Sequence, residues 1–320
     1  MRSMPQTALL SLLTVAVLQT AAAQTPARPM QEILDASQPA DWRPLDPKNT
    51  LYVELPRGRV VIELAPQFAP AHVANIRALA TNQYWNGLSI NRSQDNYVVQ
   101  WGDANAEDAA TRKPYGRGVK PKLPAEFARK SQGLTMTVLP DADGWAAEAG
   151  FVAGFPAARD SANGSSWLAH CYGTVGAGRD MAADSSNGTE LYVVTGQSPR
   201  HLDRNITTVG RVVKGIELLS SLPRGTGNLG FYETPAERTP IRAIRLAADV
   251  PKAERANLEV LRTDTPLFAE LVESRRNRRD DWYKQPAGHI NICNVPLPVR
   301  EQTAQAAAQP SKAKAKGKKK

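Results

Sequence analysis

Only two cysteines, Cys171 and Cys293, and four histidines, His72, His170, His201 and His289, occur in 320 residues. None of them falls at the close paired spacing from which zinc sites are built. No Gly-rich phosphate loop follows a strand-like run, and no serine stands in a G-x-S-x-G turn of the hydrolase kind. Metal, nucleotide and serine-nucleophile chemistry therefore have no signal here, and no cofactor is expected. Long apolar runs are missing too. The stretch Ala8 to Leu18 is well short of the ~20 residues a membrane span needs.

That short run has another reading. Arg2 precedes it and Ala21-Ala22-Ala23 follows it, the charge, apolar core and small-residue site of a secretory leader. Residues 1–23 are read as a signal peptide, Gln24 as the mature start, and the periplasm as the destination. A retained N-terminal anchor is the competing reading. In an exported protein an even cysteine count permits one disulfide, Cys171 to Cys293, tying the C-terminal segment to the main domain. Two free buried thiols are the alternative.

The net charge of +9 is unevenly placed, because Lys312 to Lys320 alone hold six lysines. The body is close to balanced, and residues 301–320 read as a solvated Lys-rich tail. The tail offers weak contact with an anionic surface. Export argues against a nucleic-acid partner.

Along the chain, residues 24–48 read as a linker with one short helix near Met30–Leu34. Leu51–Leu55 and Arg59–Leu64 flank Pro56-Arg57-Gly58 as a β-hairpin. Ala71–Asn82 carries Val73, Ile76 and Leu79 at helical spacing after Pro70. Short strands are expected at Val98–Gln100, Leu191–Thr195, Thr207–Val213 and Ile241–Leu246, and a second helix at Ile216–Leu222. Residues 249–300 form a C-terminal extension with a helix at Pro266–Tyr283. Its Arg275, Arg276, Arg278 and Arg279 read as a solvated face near the helix end. The Gly- and Ala-rich stretch from about 140 to 178 reads as an insertion.

Two segments carry a sharper signal. Asn91-Arg92-Ser93-Gln94-Asp95-Asn96-Tyr97-Val98-Val99-Gln100-Trp101-Gly102-Asp103 sets an arginine before an aromatic and a glutamine. Met181-Ala182 is followed by Asn187-Gly188-Thr189-Glu190-Leu191-Tyr192-Val193-Val194. Together they resemble the cyclophilin patterns F-H-R-x-x-x-x-F-M-x-Q-G-G-D and M-A-N/R…N-x-S-Q-F-F-I. Gly58, Glu63, Leu64, Pro66, Ala69, Pro70, Val73 and Asn75 match the family's opening. Leu202-Asp203 and Val209-Gly210-Arg211-Val212 resemble its closing segment.

The resemblance implies a mainly β fold over residues 49–248, a closed antiparallel β-barrel capped by two helices, with the C-terminal helical extension appended. It also implies a peptidyl-prolyl cis-trans isomerase acting on proline-containing polypeptides and assisting protein folding. Such a reaction breaks no bond. It lowers a rotation barrier of about 20 kcal/mol, so it needs a pocket for the ring and donors that favour the twisted amide. By resemblance Arg92 is the cationic element, with Gln100 and Glu190 as polar supports. Tyr97, Val98, Ala182, Tyr192, His201, Leu202, Ile206 and Val209 fall at substrate-binding positions.

The departures from the family pattern lie at the pocket. Tyr97 and Tyr192 replace Phe, Val98 replaces Met, Val209 replaces Phe, Ile206 replaces His and His201 replaces the eukaryotic Trp. Glu190 replaces Gln, so an amide donor becomes an acceptor-only carboxylate; if it pairs with Arg92, it either orients the arginine or blunts its field. These changes leave a catalytically weak peptide-binding module of the cell envelope as the alternative reading.

Overall fold

In the computed structural model, which describes residues 28–278 and 282–302, ordered structure begins before the first expected strand. Helix α1 (Met30–Asp35) buries Ile33, and strand β1 (Trp42–Pro44) follows. The expected linker is thus a packed element over its described part. Ile33 and Trp42 share a core with Phe268, Leu271 and Ile292 from far along the chain, partners that local composition does not reveal. The leader expected at Met1–Ala23 and the tail Lys312–Lys320 lie outside the described residues.

The hairpin forms as the two continuous apolar runs and the turn between them dictate, from β2 (Thr50–Leu55) and β3 (Gly58–Leu64). Helix α2 (Pro70–Thr81) opens on a proline, whose missing N–H would have had no helical partner at that position. It buries Val73, Ile76 and Leu79. The hairpin sits in a nine-stranded sheet in which every pairing is antiparallel. Its order is β14 (Thr239–Pro240), β4 (Ser89–Ser93), β5 (Val98–Gly102), β12 (Leu191–Val194), β11 (Thr174–Ala177), β13 (Thr208–Lys214), β3, β2 and β15 (Ala243–Leu246). One side of this sheet packs its apolar residues with those of α2, Tyr84 and Trp85 into the main core. Helix α3 (Glu217–Ser220) is a single turn that adds Leu219 to the same core.

The expected closed barrel is corrected to a curled half-barrel. Its edge strands β14 and β15 are not hydrogen-bonded to each other. They are successive pieces of one stretch, separated only by Ile241 and Arg242, with no turn that would fold one back on the other. The Ile241 amide donates to the Leu88 carbonyl and the Arg242 amide to the Glu54 carbonyl, so the chain crosses from one edge to the other.

A second sheet is inserted between β5 and β11. Its order is β6 (Arg129–Lys130), β10 (Ser165–Leu168), β9 (Phe155–Asp160), β8 (Glu148–Val152) and β7 (Thr137–Val138). The additional lobe therefore starts nearer Arg129 than 140. It ends before Thr174, because the glycine-containing β11 already belongs to the main sheet.

A third sheet places β16 (Leu258–Leu261) between β1 and β17 (Val299–Glu301). Helix α4 (Pro266–Arg276), capped by the Thr265 side chain, ends at Arg276 rather than Tyr283. Four arginines within five residues disfavour its continuation through like-charge repulsion. Phe268 packs edge-to-face on Phe151 at 5.2 Å between ring centroids. Cys171 and Cys293 are bonded, with an S–S distance of 2.08 Å, joining the end of the inserted lobe to the C-terminal segment.

Candidate active site

Strands β5 and β12 divide their side chains between two faces with period two. Val99, Trp101, Leu191 and Val193 enter the main core. Val98, Gln100, Glu190 and Tyr192 point the other way and line a cleft of about 440 Å³. Arg92 joins them from β4, opposite Gln100, where a register shift between Ile90 and Arg92 lets Ile90 stay in the core. Close approach explains two glycines on this face. A Cβ at Gly102 would come 2.7 Å from Glu190 Cγ, and one at Gly176 would lie 2.2 Å from the Tyr192 ring.

The Arg92 guanidinium is held on three sides. Nε donates to the Leu229 carbonyl at 2.8 Å, Nη1 to Gln100 Oε1 at 3.0 Å, and Nη2 to Gln94 Oε1. Phe231 and Tyr97 lie 5.3 and 5.8 Å from it, ring centroid to Cζ. Burial lowers the Arg92 pKa, opposed by Tyr97 and Glu190. The guanidinium remains a cation at neutral pH.

Glu190 and Arg92 do not pair directly. Gln100 stands between them, its Nε2 donating to Glu190 Oε2 at 2.8 Å. Arg92 can only donate and the Glu190 carboxylate can only accept, so the Gln100 amide has one orientation that satisfies both. Burial raises the Glu190 pKa, helped by Asp180, Glu107 and Asp103 and opposed by the Gln100 amide.

The apolar side of the cleft is Tyr97, Val98, Tyr192, Leu202 and Ile206. Val98, Tyr192 and Val194 form a small core of their own, with Tyr97 and Ile206 packed on it. Three expected binding residues are placed elsewhere. Val209 is fully buried in the main core, because its side of β13 faces inward. Ala182 is exposed and outside the cleft lining, on a turn where its carbonyl accepts from Ser185. His201 is also exposed and stacks on Tyr97, with centroids 6.4 Å apart and planes 5° from parallel, so it meets the cleft only through that ring.

The structure adds Leu229, Phe231, Glu107, Gly178, Arg179 and Asp180 to the lining. Leu229 adopts φ 54°, a left-handed conformation that costs a non-glycine residue about 1 kcal/mol. The surrounding loop runs along β4, with Gly225 donating to the Ser93 carbonyl and Tyr232 to the Asn91 carbonyl. No periodicity marks this loop, and the recognised motifs stop short of it. The strand-edge pairing that brings it to Arg92 has no local sequence signature.

A fixed cation beside an apolar cleft is the arrangement that rotation about a prolyl amide requires. The family model for cyclophilin type peptidyl-prolyl cis-trans isomerase/CLD matches residues 50–246. The chain belongs to this family. A probable peptidyl-prolyl cis-trans isomerase of Brucella suis biovar 1 (strain 1330) is 27% identical over 186 residues, covering 57% of this chain and 74% of its own length. Peptidyl-prolyl cis-trans isomerase-like 1 of Homo sapiens is 23% identical over 216 residues, covering 68% and 98% respectively. The crystal structure of cyclophilin AquaCyp293 from Hirschia baltica is 26% identical with a TM-score of 0.64, covering 82% of this chain and 94% of that one. That share of the chain is wider than residues 50–246, so the likeness reaches into the additional elements. This cyclophilin is accordingly a peptidyl-prolyl cis-trans isomerase, and the cleft around Arg92 is its candidate active site.

Proposed function

We propose that this cyclophilin isomerises Xaa–Pro bonds in exported polypeptides and assists their folding in the periplasm. The proline ring enters the apolar side formed by Tyr97, Val98, Tyr192, Leu202 and Ile206. Arg92 is the catalytic residue. Its guanidinium engages the prolyl amide, stabilising the twisted, less conjugated state over the planar one. Gln100 and Glu190 hold that guanidinium in place. The observation that carries this reading is the Arg92 geometry. Three of its five N–H groups are committed to Leu229, Gln100 and Gln94, leaving two for a substrate.

The export reading is supported by the leader-like pattern of Met1–Ala23 and by the Cys171–Cys293 bond, a linkage that persists in oxidising compartments. The lysines of 312–320 supply attraction to an anionic surface. Two assays test the proposal. Cell fractionation of the full-length chain should place it in the periplasmic fraction. Refolding of an exported protein limited by a prolyl step should accelerate in its presence. Cytoplasmic retention, or refolding with an unchanged slow phase, overturns the respective part.

One observation favours a second reading. Glu190 places a carboxylate behind Gln100 where the family pattern carries an amide, which suits a peptide-binding module with weak turnover. Peptide binding without acceleration of exchange selects that reading.

A further inference from the structure

The far side of the pocket leads into a buried polar chain that the isomerisation chemistry does not use. The Tyr192 ring lines the cleft, and its hydroxyl lies 2.8 Å from His170 Nε2 inside the protein. His170 is fully buried, with Nδ1 3.0 Å from Asp203 Oδ1 and its backbone amide donating to the same oxygen at 2.9 Å. Asp203 Oδ2 accepts from Arg200 Nε at 2.7 Å, and Arg200 forks onto both oxygens of Asp143 at 2.9 Å. Asp143 belongs to the inserted lobe, and the chain passes from His170 directly to Cys171, bonded to Cys293 of the extension.

The connectivity fixes the roles. Asp203 accepts from the His170 amide and Nδ1, from Arg200 Nε and from Trp167 Nε1. Burial opposes its ionisation, and His170 and Arg200 outweigh that effect and hold its carboxyl below the usual range. A carboxylate there selects the His170 tautomer with the proton on Nδ1. Nε2 is then an acceptor, and the Tyr192 hydroxyl donates to it. The hydroxyl is thus directed away from the cleft and kept protonated by burial, so it serves neither as nucleophile nor as acid. Its consequence is mechanical, since the ring that faces the substrate is tethered at its far end.

We infer that His170 is a positioning residue for the proline pocket, holding Tyr192 so that the inserted lobe and the C-terminal extension set the shape of the cleft. The inference rests on the reading of that cleft as the prolyl site. Without His170, the Tyr192 hydroxyl loses its buried acceptor, at a cost large enough to displace the ring. Arg92, Gln100 and Glu190 make no bond to this chain, so the loss falls on ring binding rather than on amide rotation.

The test is steady-state isomerisation of an Ala-Pro peptide by the full-length protein, His170→Leu, and His170→Leu with Tyr192→Phe. His170→Leu should raise KM about tenfold with kcat within about twofold, a loss of uniform binding. Adding Tyr192→Phe removes the orphaned hydroxyl and should return KM to within about threefold of the parent. A role in stability alone would lower the melting temperature and leave KM of the folded variant unchanged. That result, or a KM that Tyr192→Phe does not restore, overturns the inference. If His170→Leu does not fold, His170→Gln replaces it, with a severalfold rise in KM expected and an unchanged KM overturning the inference. If the parent binds the peptide without isomerising it, the catalytic reading fails. The same variants, compared by dissociation constant in a titration, then still decide the role of His170.

Discussion

Replacing Arg92 by alanine removes the cation that β4 brings to the apolar cleft. The side chain is partly buried and makes three hydrogen bonds, none of them to a carboxylate. Its two remaining N–H groups are the ones available to a prolyl amide. Loss of a comparable preorganised donor costs roughly 3–4 kcal/mol in the transition state, or about 10²–10³ in rate. Arg92→Ala should therefore lower kcat/KM by that factor. Stability should change by no more than about 1 kcal/mol, because burial of the cation is itself unfavourable and water can reach the groups it leaves. Arg92→Lys should recover little, since an ammonium cannot satisfy Leu229, Gln100 and Gln94 and still present two donors. Protease-coupled isomerisation on a panel of Xaa-Pro peptides, beside chemical denaturation of each variant, reads both quantities. A folded Arg92→Ala protein retaining more than a tenth of the parental kcat/KM would refute the reasoning.

Gly176→Ala should drive a methyl into the Tyr192 ring, destabilising the protein by about 1–3 kcal/mol and raising the peptide KM; an unchanged melting temperature would show that the ring can move aside freely. Removing the disulfide, as Cys171→Ala with Cys293→Ala, opens a crosslink between residues 122 apart and should cost about 2–4 kcal/mol in denaturant melts. Glu190→Gln should keep activity within about threefold, since Gln100 can still donate to the new side chain. The same variant carries a pH signature. Burial holds the Glu190 pKa above its ordinary 4.5, so the native state binds that proton more tightly than the unfolded chain. Its stabilising effect is full below 4.5 and is lost as pH rises through the folded value. Glu190→Gln should thus be more stable than the parent at pH 7, with the difference shrinking toward pH 4; a gap that widens on acidification would contradict this.

The sheet was legible where local pattern and partner coincide. Leu51–Leu64 holds two apolar runs joined by a turn on Pro56 and Arg57, so its nearest strand is its own neighbour. Arg92, Tyr97, Val98 and Gln100 share one short segment and line one cleft: Val98 and Gln100 alternate along β5, the shift in β4 sets Arg92 opposite Gln100, and Tyr97 stands just before the strand. Val209 was misplaced because a family position does not state which face a residue takes beside a register shift such as the one at Gly176, and Ala182 because it lies on a turn rather than a strand. Leu229 and Phe231 escaped because the contact that matters is made by a main-chain carbonyl in a loop. The reading of 24–48 as a linker with a short helix near Met30–Leu34 located that helix, present as α1, and missed the packing of residues 28–48 for a related reason. The segment's apolar residues are few, and the surface that covers Ile33 and Trp42 is supplied more than two hundred residues later.

The three-stranded sheet has a consequence for the order of assembly. Its outer strands, β1 and β17, come from the two ends of the described chain, and both pair with β16. As the polypeptide is made, the strands of the nine-stranded sheet are all present once Leu246 has emerged. At that stage Trp42–Pro44 still has no partner, and it waits until Leu258–Leu261 follows. The partner of Cys171 arrives later still, at position 293, and the last strand after it. The sheet bearing the cleft can therefore form while the clasp that joins the ends is incomplete. Domains folding during synthesis gain from such vectorial order. A chain truncated after Leu246 would leave Ile33 and Trp42 with their main apolar cover missing, exposing a surface that the finished molecule hides.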